Sequence, residues 1–505
     1  MFKTLPELLA ETVVLSLDWN GLSQDSNIHQ VAYDSRGVKP GGLFVAVRGF
    51  KHDGHRFIPE AVAQGARAVV LDRPEIELPV GIAKVLVPNS RAALPDLAAA
   101  FYDHPSRKLK VVGVTGTNGK TTTAFLSEGI FLAAGFKTGL IGTVENHVGA
   151  RVLPVERTTP ESVDVEHLLR QMVNDGVTHV SLEVSSHALD LGRVKNIEFD
   201  VGVFTNLTQD HLDYHETLAK YRLAKAQLFA QLNKVTSKGG PKRAVLNADD
   251  PSSAAMQAAT SAPILTYGIK NQADITASQI KIGAQGACFK LETTVGTREV
   301  KLHTTGLFSV YNALAACAVG ISQGVELDVI VTALEHRPGV PGRFEQVKCG
   351  QDFAVIVDYA HTPDGLENIL KAAQEFAAGR IILVFGCGGD RDRTKRPLMG
   401  KLGVEYADLV FVTSDNPRTE DPAAIIADIE AGIKETTAAK GSYSLITDRR
   451  QAIYAALTEA RTGDVVLIAG KGHETYQILG EQTIHFDDRE VVRDYFKELN
   501  QSCSR

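Results

Sequence analysis

A glycine-rich loop followed by lysine and threonine carries the strongest chemical signal in the chain. An apolar segment, residues 111–115, runs into Gly-Thr-Asn-Gly-Lys-Thr-Thr, and a helical pattern covers residues 124–134. In such loops backbone N–H groups close around phosphate oxygens, a lysine reaches the β- and γ-phosphates, and a hydroxyl binds Mg²⁺ at the helix start. The sequence therefore predicts a nucleoside-triphosphate site made of Gly116, Thr117, Asn118, Gly119, Lys120, Thr121 and Thr122.

The spacing of this loop departs from the standard phosphate loop, because Val114 occupies the position of its first glycine. A glycine-rich turn that opens an ordinary helix is the alternative explanation of the pattern. Even as a phosphate loop it indicates only the use of a nucleoside triphosphate, since motors, switches, kinases and ligases all contain one.

A carboxylate and a histidine-rich segment follow later predicted strands. Glu183 lies at the end of a strand predicted over residues 179–184, where an open α/β sheet places a metal-organising acid. His211 lies in Asp-His-Leu-Asp-Tyr-His, residues 210–215, and the absence of a closed Cys/His set favours a role beside Mg²⁺ over a zinc site. Helix capping and turn formation explain Asp213 and His215 equally well.

Lys225 lies on the apolar stripe of a predicted helix. It follows Tyr221 by four residues and shares the stripe with Leu228 and Leu232. A lysine on a buried face has to be paired, extend to solvent or lose its charge. The spacing alone fits either a solvent-reaching stem or a functional amine.

Three later residues could complete a nucleotide site. Asn312 lies near the start of an alanine-rich helix, where its amide could contact adenine or ribose. Arg343 follows Pro-Gly at a predicted domain boundary and could reach a phosphate. Asp358 ends a predicted strand. Each is a weak signal alone, because an arginine after Pro-Gly is usually a surface charge.

Alternating strand and helix patterns have to position these residues. They predict α/β domains with largely parallel sheets, while short alternating runs at residues 273–300 predict antiparallel hairpins. A linker at residues 105–107 and a Pro/Gly-rich break at residues 337–342 divide the chain into residues 1–107, 108–338 and 339–505. The predicted fold is three α/β domains: a P-loop-type central ATPase domain with a mostly parallel sheet, a small N-terminal domain and a Rossmann-like C-terminal domain.

Composition narrows the class of protein. The 505 residues carry a net charge of −7, which argues against a general nucleic-acid binder. No apolar run reaches the length of a membrane helix, and the N-terminus lacks a signal-peptide pattern. Five scattered cysteines fit a reducing compartment. We therefore expect a cytoplasmic protein without nucleic-acid binding or membrane insertion.

Taken together and in this order, the motifs resemble the Mur ligase family, the ATP-dependent enzymes that add amino acids to peptidoglycan precursors. The resemblance covers nearly the whole chain and also accounts for the variant phosphate loop. It rests on residues 116–121, 183–187, 205–207, 210–215 and 358–363, with Lys225, Asn312, Gly342 and Arg343.

The resemblance implies a reaction in which ATP activates a carboxylate. The γ-carboxylate of the D-glutamate in UDP-N-acetylmuramoyl-L-alanyl-D-glutamate would attack the γ-phosphate of ATP, and the amine of meso-2,6-diaminopimelate would displace phosphate from the acyl phosphate. Asn312, Arg343 and Asp358 would bind ATP, the last two after the C-terminal domain closes. The resemblance also implies catalytic roles for Lys120, Glu183, His211 and Lys225, with Mg²⁺ held by Thr121, Glu183, His211 and a carbamylated Lys225. The expected assembly is a monomer.

It further implies two sets of substrate-binding residues. For the UDP-sugar peptide these are Ser35, Thr158, Thr159, Ser185 and Arg193, although the two threonines also fit turn hydroxyls. For diaminopimelate they are Arg391, Asp415, Asn416, Pro417, Arg418, Gly470 and Glu474.

The second set suits diaminopimelate on chemical grounds. Arg418 would bind the distal carboxylate that lysine lacks, and Arg391 would bind the other carboxylate. Glu474 and the Gly470 carbonyl would accept hydrogen bonds from the distal ammonium. Either arginine alone also fits a phosphate contact or a solvated loop.

Other functions remain open at this level. Within the family the lysine-adding ligase is the nearest alternative, and folylpolyglutamate synthase is a more distant one. In other classes, a P-loop ATPase acting as a motor or switch and a non-catalytic nucleotide-binding protein are possible. An enzyme is favoured over a non-catalytic binding protein by the presence of the charged residues Lys120, Glu183, Lys225, Arg343 and Asp358.

Overall fold

Three main sheets follow one another along the chain in the computed structural model. The structure describes residues 1–49, 52–155, 157–234, 238–283, 285–337, 339–437 and 439–503. No helix within these segments is long and apolar enough to cross a membrane.

The N-terminal part contains a small sheet in the order β2-β7-β6-β5-β4, in which only the β2 pairing is antiparallel. Strands β1 and β3 form a separate two-stranded ribbon. The elements are β1 Lys3–Thr4, α1 Leu5–Leu9, β2 Ser16–Asp18, β3 Asn27–Ile28, β4 Gln30–Ala32, β5 Gly42–Val45, α2 Ile58–Ala63, β6 Ala66–Leu71, β7 Ala83–Leu86 and α3 Ser90–Phe101.

The central part contains an 11-stranded sheet in the order β11-β10-β9-β12-β8-β13-β14-β15-β16-β17-β18. Its strands are β8 Lys110–Thr115, β9 Thr138–Ile141, β10 Asn146–Val148, β11 Arg151–Leu153, β12 His179–Glu183, β13 Val201–Phe204, β14 Arg243–Asn247, β15 Ile264–Gly268, β16 Ile275–Gly283, β17 Gly286–Thr293 and β18 Gly296–Leu302. Its helices are α4 Lys120–Ala133, α5 Ser162–Asn174, α6 Ser186–Asp190, α7 Leu212–His215, α8 Leu218–Gln231, α9 Ser253–Ala258, α10 Leu307–Ser322 and α11 Leu327–His336.

Strand β8 lies at the point where the chain reverses its direction across this sheet. It is flanked by β12 and β13, both parallel to it, and Val111, Val112 and Val114 are fully buried. A strand covered on both faces has to be apolar throughout, which is why the apolar segment at residues 111–115 falls within β8. Loops that follow such strands face a crevice at the carboxyl edge of the sheet.

The antiparallel pattern predicted for residues 273–300 is confirmed. Strands β16, β17 and β18 pair antiparallel and extend one edge of the central sheet.

The C-terminal part contains a six-stranded sheet in the order β19-β20-β24-β21-β22-β23, parallel except for β19. A short ribbon of β25 and β26 follows it. The elements are β19 Glu345–Gln346, β20 Ala354–Asp358, α12 Pro363–Gln374, β21 Ile381–Phe385, α13 Lys395–Tyr406, β22 Leu409–Val412, α14 Pro422–Lys434, β23 Ser442–Leu445, α15 Arg449–Glu459, β24 Val465–Ala469, β25 Tyr476–Leu479, β26 Gln482–His485 and α16 Asp488–Cys503. The α/β class with a mostly parallel central sheet is therefore confirmed.

The two predicted breaks differ in the structure. Residues 105–107, predicted as a linker, are part of a short 3₁₀ helix, Pro105–Lys108, in which Pro105 and Ser106 are buried. The Ser106 hydroxyl accepts a hydrogen bond from the Glu198 N–H at 3.1 Å. At the second break, Pro338 lies outside the described residues. Gly342 has φ +65°, and a Cβ there would lie 2.0 Å from the backbone nitrogen of His473, so no larger residue fits.

Candidate active site

The loop after β8 and the first turn of α4 form part of a cleft of about 780 Å³ between the central and C-terminal sheets. Gly119, the last residue before α4, has φ +83°, and a Cβ on it would lie 2.4 Å from the Asn312 side-chain oxygen. The loop backbone can therefore approach α10 only with glycine at this position. Asn312, the residue predicted to contact adenine or ribose, lies beside the phosphate loop.

Lys120 lies over the loop that contains it. Its ammonium donates to the carbonyls of Gly116, at 2.9 Å, and Thr117, at 2.7 Å. Burial lowers the pKa of Lys120, which nearby Glu183 partly counteracts. The Lys120 amine therefore lies at the start of α4, where the helix N-terminus would attract a phosphate group.

Glu183 ends β12 next to the phosphate loop, because β12 and β8 pair in parallel with Glu183 opposite Val114. Its carboxylate is fully buried and accepts hydrogen bonds from the Thr121 hydroxyl, at 3.0 Å, and from the Thr143 backbone N–H, at 2.7 Å, and hydroxyl, at 3.0 Å. Among the described residues no cationic side chain lies within 4.0 Å of it. A carboxylate in this setting suits a bound cation.

Lys225 confirms the stripe predicted for its helix. It is 1 % exposed, between Tyr221 and Leu228, so its side chain does not extend to solvent. Its amine donates to the Gly116 carbonyl at 2.7 Å, and within the described part of the chain no carboxylate lies within 4.0 Å. Burial and then the charge of Lys120 lower the pKa of Lys225 well below its usual value. The neutral amine is favoured here.

His211 lies at the mouth of the same cleft, at the start of α7. Its Nε2 is 3.5 Å from an Asp210 oxygen, and its ring centroid is 4.8 Å from that of His187. Partial desolvation at the mouth of the cleft lowers the pKa of His211, which favours the neutral ring that can act as a ligand. No cluster of three or more His, Cys, Asp or Glu side chains able to hold a metal occurs among the described residues.

The C-terminal sheet supplies the opposite wall. Arg343 stacks on Tyr359, with 4.8 Å from guanidinium to ring centroid, and donates to the Thr121 hydroxyl at 3.3 Å. Asp358 is buried and accepts hydrogen bonds from two backbone N–H groups, those of Phe344 and Ala360. Burial raises the pKa of Asp358, and Arg343 opposes this. Both residues already line the cleft, whereas the resemblance placed them there only after domain closure.

Asp364 joins the two walls and was not identified from the sequence. One of its oxygens accepts hydrogen bonds from the Asn118 amide and the Thr208 hydroxyl, both at 2.8 Å. The available signal was its position in the first turn of a helix that follows Asp358 and a proline.

The residues proposed for the UDP-sugar peptide separate into three places. Thr158 and Ser185 line the cleft. Thr159 lies behind it: its hydroxyl is 1 % exposed, donates to the Glu183 carbonyl at 2.7 Å and accepts from the Ser185 N–H. Arg193 also lies behind, where it donates to the Thr159 carbonyl at 3.0 Å and pairs with Glu161. Ser35 is in the N-terminal part, donating to Glu60 at 2.8 Å, and is not brought to the cleft.

The residues proposed for diaminopimelate form a second site at the carboxyl edge of the C-terminal sheet. Arg418 donates to the Gly389 carbonyl at 2.8 Å, and Asn416 donates to Glu474 at 2.9 Å. A Cβ on Gly388 would lie 3.0 Å from an Arg418 nitrogen and 3.8 Å from the Arg391 side chain, so both arginines face this loop. The members brought together by the loops after β21, β22 and β24 are Arg391, Asp415, Asn416, Pro417, Arg418, Gly470 and Glu474.

The two sites adjoin at Asp358 and Tyr359. The Gly470 N–H donates to the Asp358 carbonyl at 3.0 Å, and the His473 ring lies 4.9 Å from that of Tyr359. The loop after β24 therefore contacts two residues that line the cleft, Asp358 and Tyr359. Sequence reasoning missed Tyr359 and Lys471 here, and also Thr143, whose position after β9 on the same sheet edge was the available signal.

Three family models match this chain. They are described as the Mur ligase middle domain, over residues 114–320, the Mur ligase glutamate ligase domain, over residues 342–472, and the Mur ligase family catalytic domain, over residues 27–102.

Relatives and solved structures agree with these matches. A UDP-N-acetylmuramoyl-L-alanyl-D-glutamate--2,6-diaminopimelate ligase from Geobacillus thermodenitrificans (strain NG80-2) is 52 % identical over 480 residues, covering 95 % of this chain and 97 % of that protein. A solved structure of a ligase with the same name has a TM-score of 0.68 and 32 % identity, covering 99 % of this chain and all of that one. The MurF ligase of Thermotoga maritima, solved in complex with ADP, shares the fold with a TM-score of 0.63 and 21 % identity, covering 96 % of this chain and 99 % of that one.

Proposed function

The chain belongs to the Mur ligase family, and we propose that it joins meso-2,6-diaminopimelate to the D-glutamate γ-carboxylate of UDP-N-acetylmuramoyl-L-alanyl-D-glutamate. It is an ATP-dependent ligase of peptidoglycan precursor synthesis. The observation that carries the choice of substrates is that a phosphate-loop cleft adjoins, at Asp358 and Tyr359, a cluster of residues that contains Arg391 and Arg418.

The chemistry has two steps. A γ-carboxylate oxygen of D-glutamate attacks the γ-phosphorus of ATP, ADP leaves, and an acyl phosphate forms. The amine of diaminopimelate then attacks the carbonyl carbon, the bond from that carbon to the phosphate oxygen breaks, and the nitrogen loses a proton. Activation is required because an unmodified carboxylate is a poor electrophile, and positioning supplies most of the catalysis.

The phosphate loop and Arg343 would act on the triphosphate. Backbone N–H groups at the start of α4 and the Lys120 ammonium would hold the β- and γ-phosphates. Arg343 approaches the same helix from the opposite wall at Thr121, so it would neutralise charge that develops on the transferred phosphoryl group. Asn312 and Asp358 would contact the nucleoside.

The residues present fit Mg²⁺. The Thr121 hydroxyl and the Glu183 carboxylate are hard oxygen donors 3.0 Å apart, and the buried carboxylate lacks a cationic partner among the described side chains. When bound, Mg²⁺ would offset negative charge on the phosphates. Thr121 and Glu183 would hold one ion, and His211 with Lys225 would assist a second.

We propose that Lys225 is carbamylated. Its buried, neutral amine can add its nitrogen to the carbon of CO₂ and release a proton, which replaces an amine with an oxygen donor beside the Gly116 loop. Burial disfavours the Lys225 ammonium because nothing nearby compensates its charge. A Lys225 carbamate, in contrast, would be compensated by a bound Mg²⁺.

Substrate recognition extends over the whole chain. We assign UDP-sugar binding to residues 1–107, ATP binding to residues 108–338 and amino-acid binding to residues 339–505. Ser35 would bind the uridine end of the substrate, and Thr158 and Ser185 would hold its peptide end in the cleft. Thr159 and Arg193 would support that end through Ser185, since their polar atoms already contact protein groups.

Purified protein tests the assignment directly. We expect phosphate release from ATP only when both UDP-N-acetylmuramoyl-L-alanyl-D-glutamate and meso-diaminopimelate are supplied, with one amide product per phosphate. Robust turnover without the dipeptide substrate would contradict the ligase reaction, and equal turnover with lysine would contradict the choice of amino acid. We also propose a cytoplasmic monomer, which light scattering of the purified chain and cell fractionation would check.

A further inference from the structure

His361 lies on the C-terminal wall of the cleft, between a contact to the phosphate loop and a contact to the proposed amino-acid site. It follows β20 in the sequence Asp-Tyr-Ala-His-Thr-Pro, and its side chain is accessible from the cleft. Three residues later, Asp364 binds the phosphate loop at Asn118. From the other direction, the ammonium of Lys395, four residues after Arg391, donates to the His361 carbonyl at 2.7 Å. An acyl phosphate in the cleft and an amino acid held by the C-terminal loops would therefore meet near His361.

One contact determines which nitrogen of the His361 ring carries the proton. Nδ1 lies 2.8 Å from the Tyr359 carbonyl oxygen. Because a carbonyl oxygen only accepts hydrogen bonds, Nδ1 has to be the protonated nitrogen, and in the neutral ring Nε2 has a lone pair. Nε2 has no hydrogen-bond partner among the residues that the structure describes. The ring therefore offers a proton acceptor in the cleft.

The surroundings of the ring favour its neutral form. Desolvation in the cleft, and next the charge of Lys395, lowers the pKa of His361, while the charge of Asp415 opposes this shift. A lowered pKa enlarges the proton-accepting fraction of the ring at a given pH. The titratable and charged groups that face the ring are Lys395, Arg343, Tyr359, Asp415 and His473.

The second step of the proposed reaction requires a proton acceptor. At neutral pH the amine of diaminopimelate is an ammonium, which has no lone pair to attack a carbonyl carbon. The nitrogen has to lose one proton before the attack and a second one as the amide forms. A positioned base at such a step typically contributes about 10²- to 10⁴-fold to the rate.

We infer that His361 is the general base that activates the attacking amine of the amino-acid substrate. Nε2 takes a proton from the ammonium, the freed lone pair attacks the acyl-phosphate carbon, and the imidazolium passes its proton to water. The departing phosphate gains negative charge as the bond between carbon and oxygen breaks, and it takes the second proton from the nitrogen. The inference rests on the proposed function, because it assigns the base of that reaction.

The first test replaces the ring with an amide, His361→Asn, which can still donate to the Tyr359 carbonyl but is not a base. Enzyme loaded with ATP and UDP-N-acetylmuramoyl-L-alanyl-D-glutamate is mixed with meso-diaminopimelate, and amide formation is followed in a single turnover. We expect its rate at neutral pH to fall by about 10²- to 10³-fold, with the KM for ATP unchanged. His485→Asn is the control, because His485 is an exposed histidine of the same domain paired with Glu490. An unchanged rate in the His361→Asn variant would overturn the inference, as would a rise in the KM for diaminopimelate alone.

The pH dependence separates a base from a residue that only supports the wall. In the unmodified enzyme the rate should fall as the pH drops, since the protonated ring cannot accept a proton. In His361→Asn the amine has to lose its proton to water, so the deficit relative to the unmodified enzyme should shrink as the pH rises. A deficit of constant size at all pH values would overturn the inference.

Methoxyamine provides a comparison that does not depend on the folding of a variant. This weakly basic amine is neutral well below neutral pH, so it can attack the acyl phosphate without first losing a proton. With the unmodified enzyme, the loss of rate at low pH should occur with diaminopimelate and be much smaller with methoxyamine, and His361→Asn should lose much less activity with methoxyamine. Equal pH dependence for the two amines would overturn the inference. Absence of turnover with meso-diaminopimelate in the unmodified enzyme would instead contradict the proposed function, so the two failures are distinct.

Discussion

Two buried lysines, one in each site, are held in opposite ways. Lys225 in the phosphate-loop cleft donates to a backbone carbonyl and has no carboxylate within 4.0 Å among the described residues. Lys471 lies among the residues proposed to bind diaminopimelate, is buried to the same degree and pairs with Glu474. The same side chain is therefore a candidate for chemical modification in one region and a fixed charge in the other.

The difference shows how burial and partners together determine the chemistry of an amine. Without a carboxylate, desolvation favours the neutral form, and a neutral amine can react. With a carboxylate and an amide oxygen, the ammonium is compensated and acts on its neighbours by its charge. Burial alone does not separate these two cases.

The largest effect is expected at Lys225. Lys225→Met should lower kcat by about 10²- to 10³-fold, the usual cost of removing one preorganised electrostatic group from a transition state. Steady-state phosphate release measures this. Lys220→Met, an exposed lysine of the same helix paired with Glu216, is the control and should change little. A Lys225→Met variant with nearly full activity would remove the functional distinction between the two lysines.

A substitution at Arg418 tests whether the proposed amino-acid site chooses between diaminopimelate and lysine by charge. Arg418→Ala should lower kcat/KM for meso-diaminopimelate by roughly 10- to 100-fold, because hydrogen bonds to a charged group contribute about 1.5–3 kcal/mol. It should also reduce discrimination against lysine and leave the KM for ATP unchanged. Competition between the two amino acids measures both effects, with the exposed Arg450→Ala as the matched control. An unchanged preference would show that selection lies elsewhere.

Asp364 tests how the two regions are held together. Asp364→Ala removes two hydrogen bonds from the C-terminal wall to Asn118 and Thr208, each contributing about 1 kcal/mol. We expect the KM for ATP to rise roughly threefold to tenfold, with a smaller change in kcat. Glu367→Ala serves as the comparison, because Glu367 is a partly exposed residue of the same helix that pairs with Lys371 and does not line the cleft. Equal effects from both substitutions would exclude a specific role of the bridge.

The smallest effect is expected from CO₂ and pH. Adding CO₂ to Lys225 requires the neutral amine, and its pKa is lowered by burial. The neutral fraction is therefore larger than that of an exposed lysine at the same pH, and it falls as the pH drops. Removing CO₂ from the buffer should reduce the activity, and the reduction should increase as the pH falls. Rates with and without bicarbonate, and a ¹³C signal from labelled CO₂, measure this; a bicarbonate effect that persists in Lys225→Met would assign it to another group.

Local patterns in the sequence were sufficient for the strands and for several site residues. Strand β8 contains the apolar segment that precedes the phosphate loop, and strand β24 is likewise apolar throughout, because a strand buried on both faces is a continuous apolar run. The helical stripe of Tyr221, Lys225 and Leu228 likewise fixes which face of α8 is buried. The phosphate loop could be found because its glycines, lysine and threonine act on one ligand from consecutive positions.

Tertiary structure decided which residues share a site and which only support it. Thr158 lines the cleft while its neighbour Thr159 holds Glu183 from behind, and no periodicity distinguishes them. Arg343 reaches Thr121, and Lys471 lies between Asn416 and Glu474, because separate strands end at common sheet edges. Apolar patterns and turn-forming residues can be identified from the sequence, because they determine helices, strands and turns over a few neighbouring residues. Contacts between distant residues depend on strand order and register, which only the folded chain specifies.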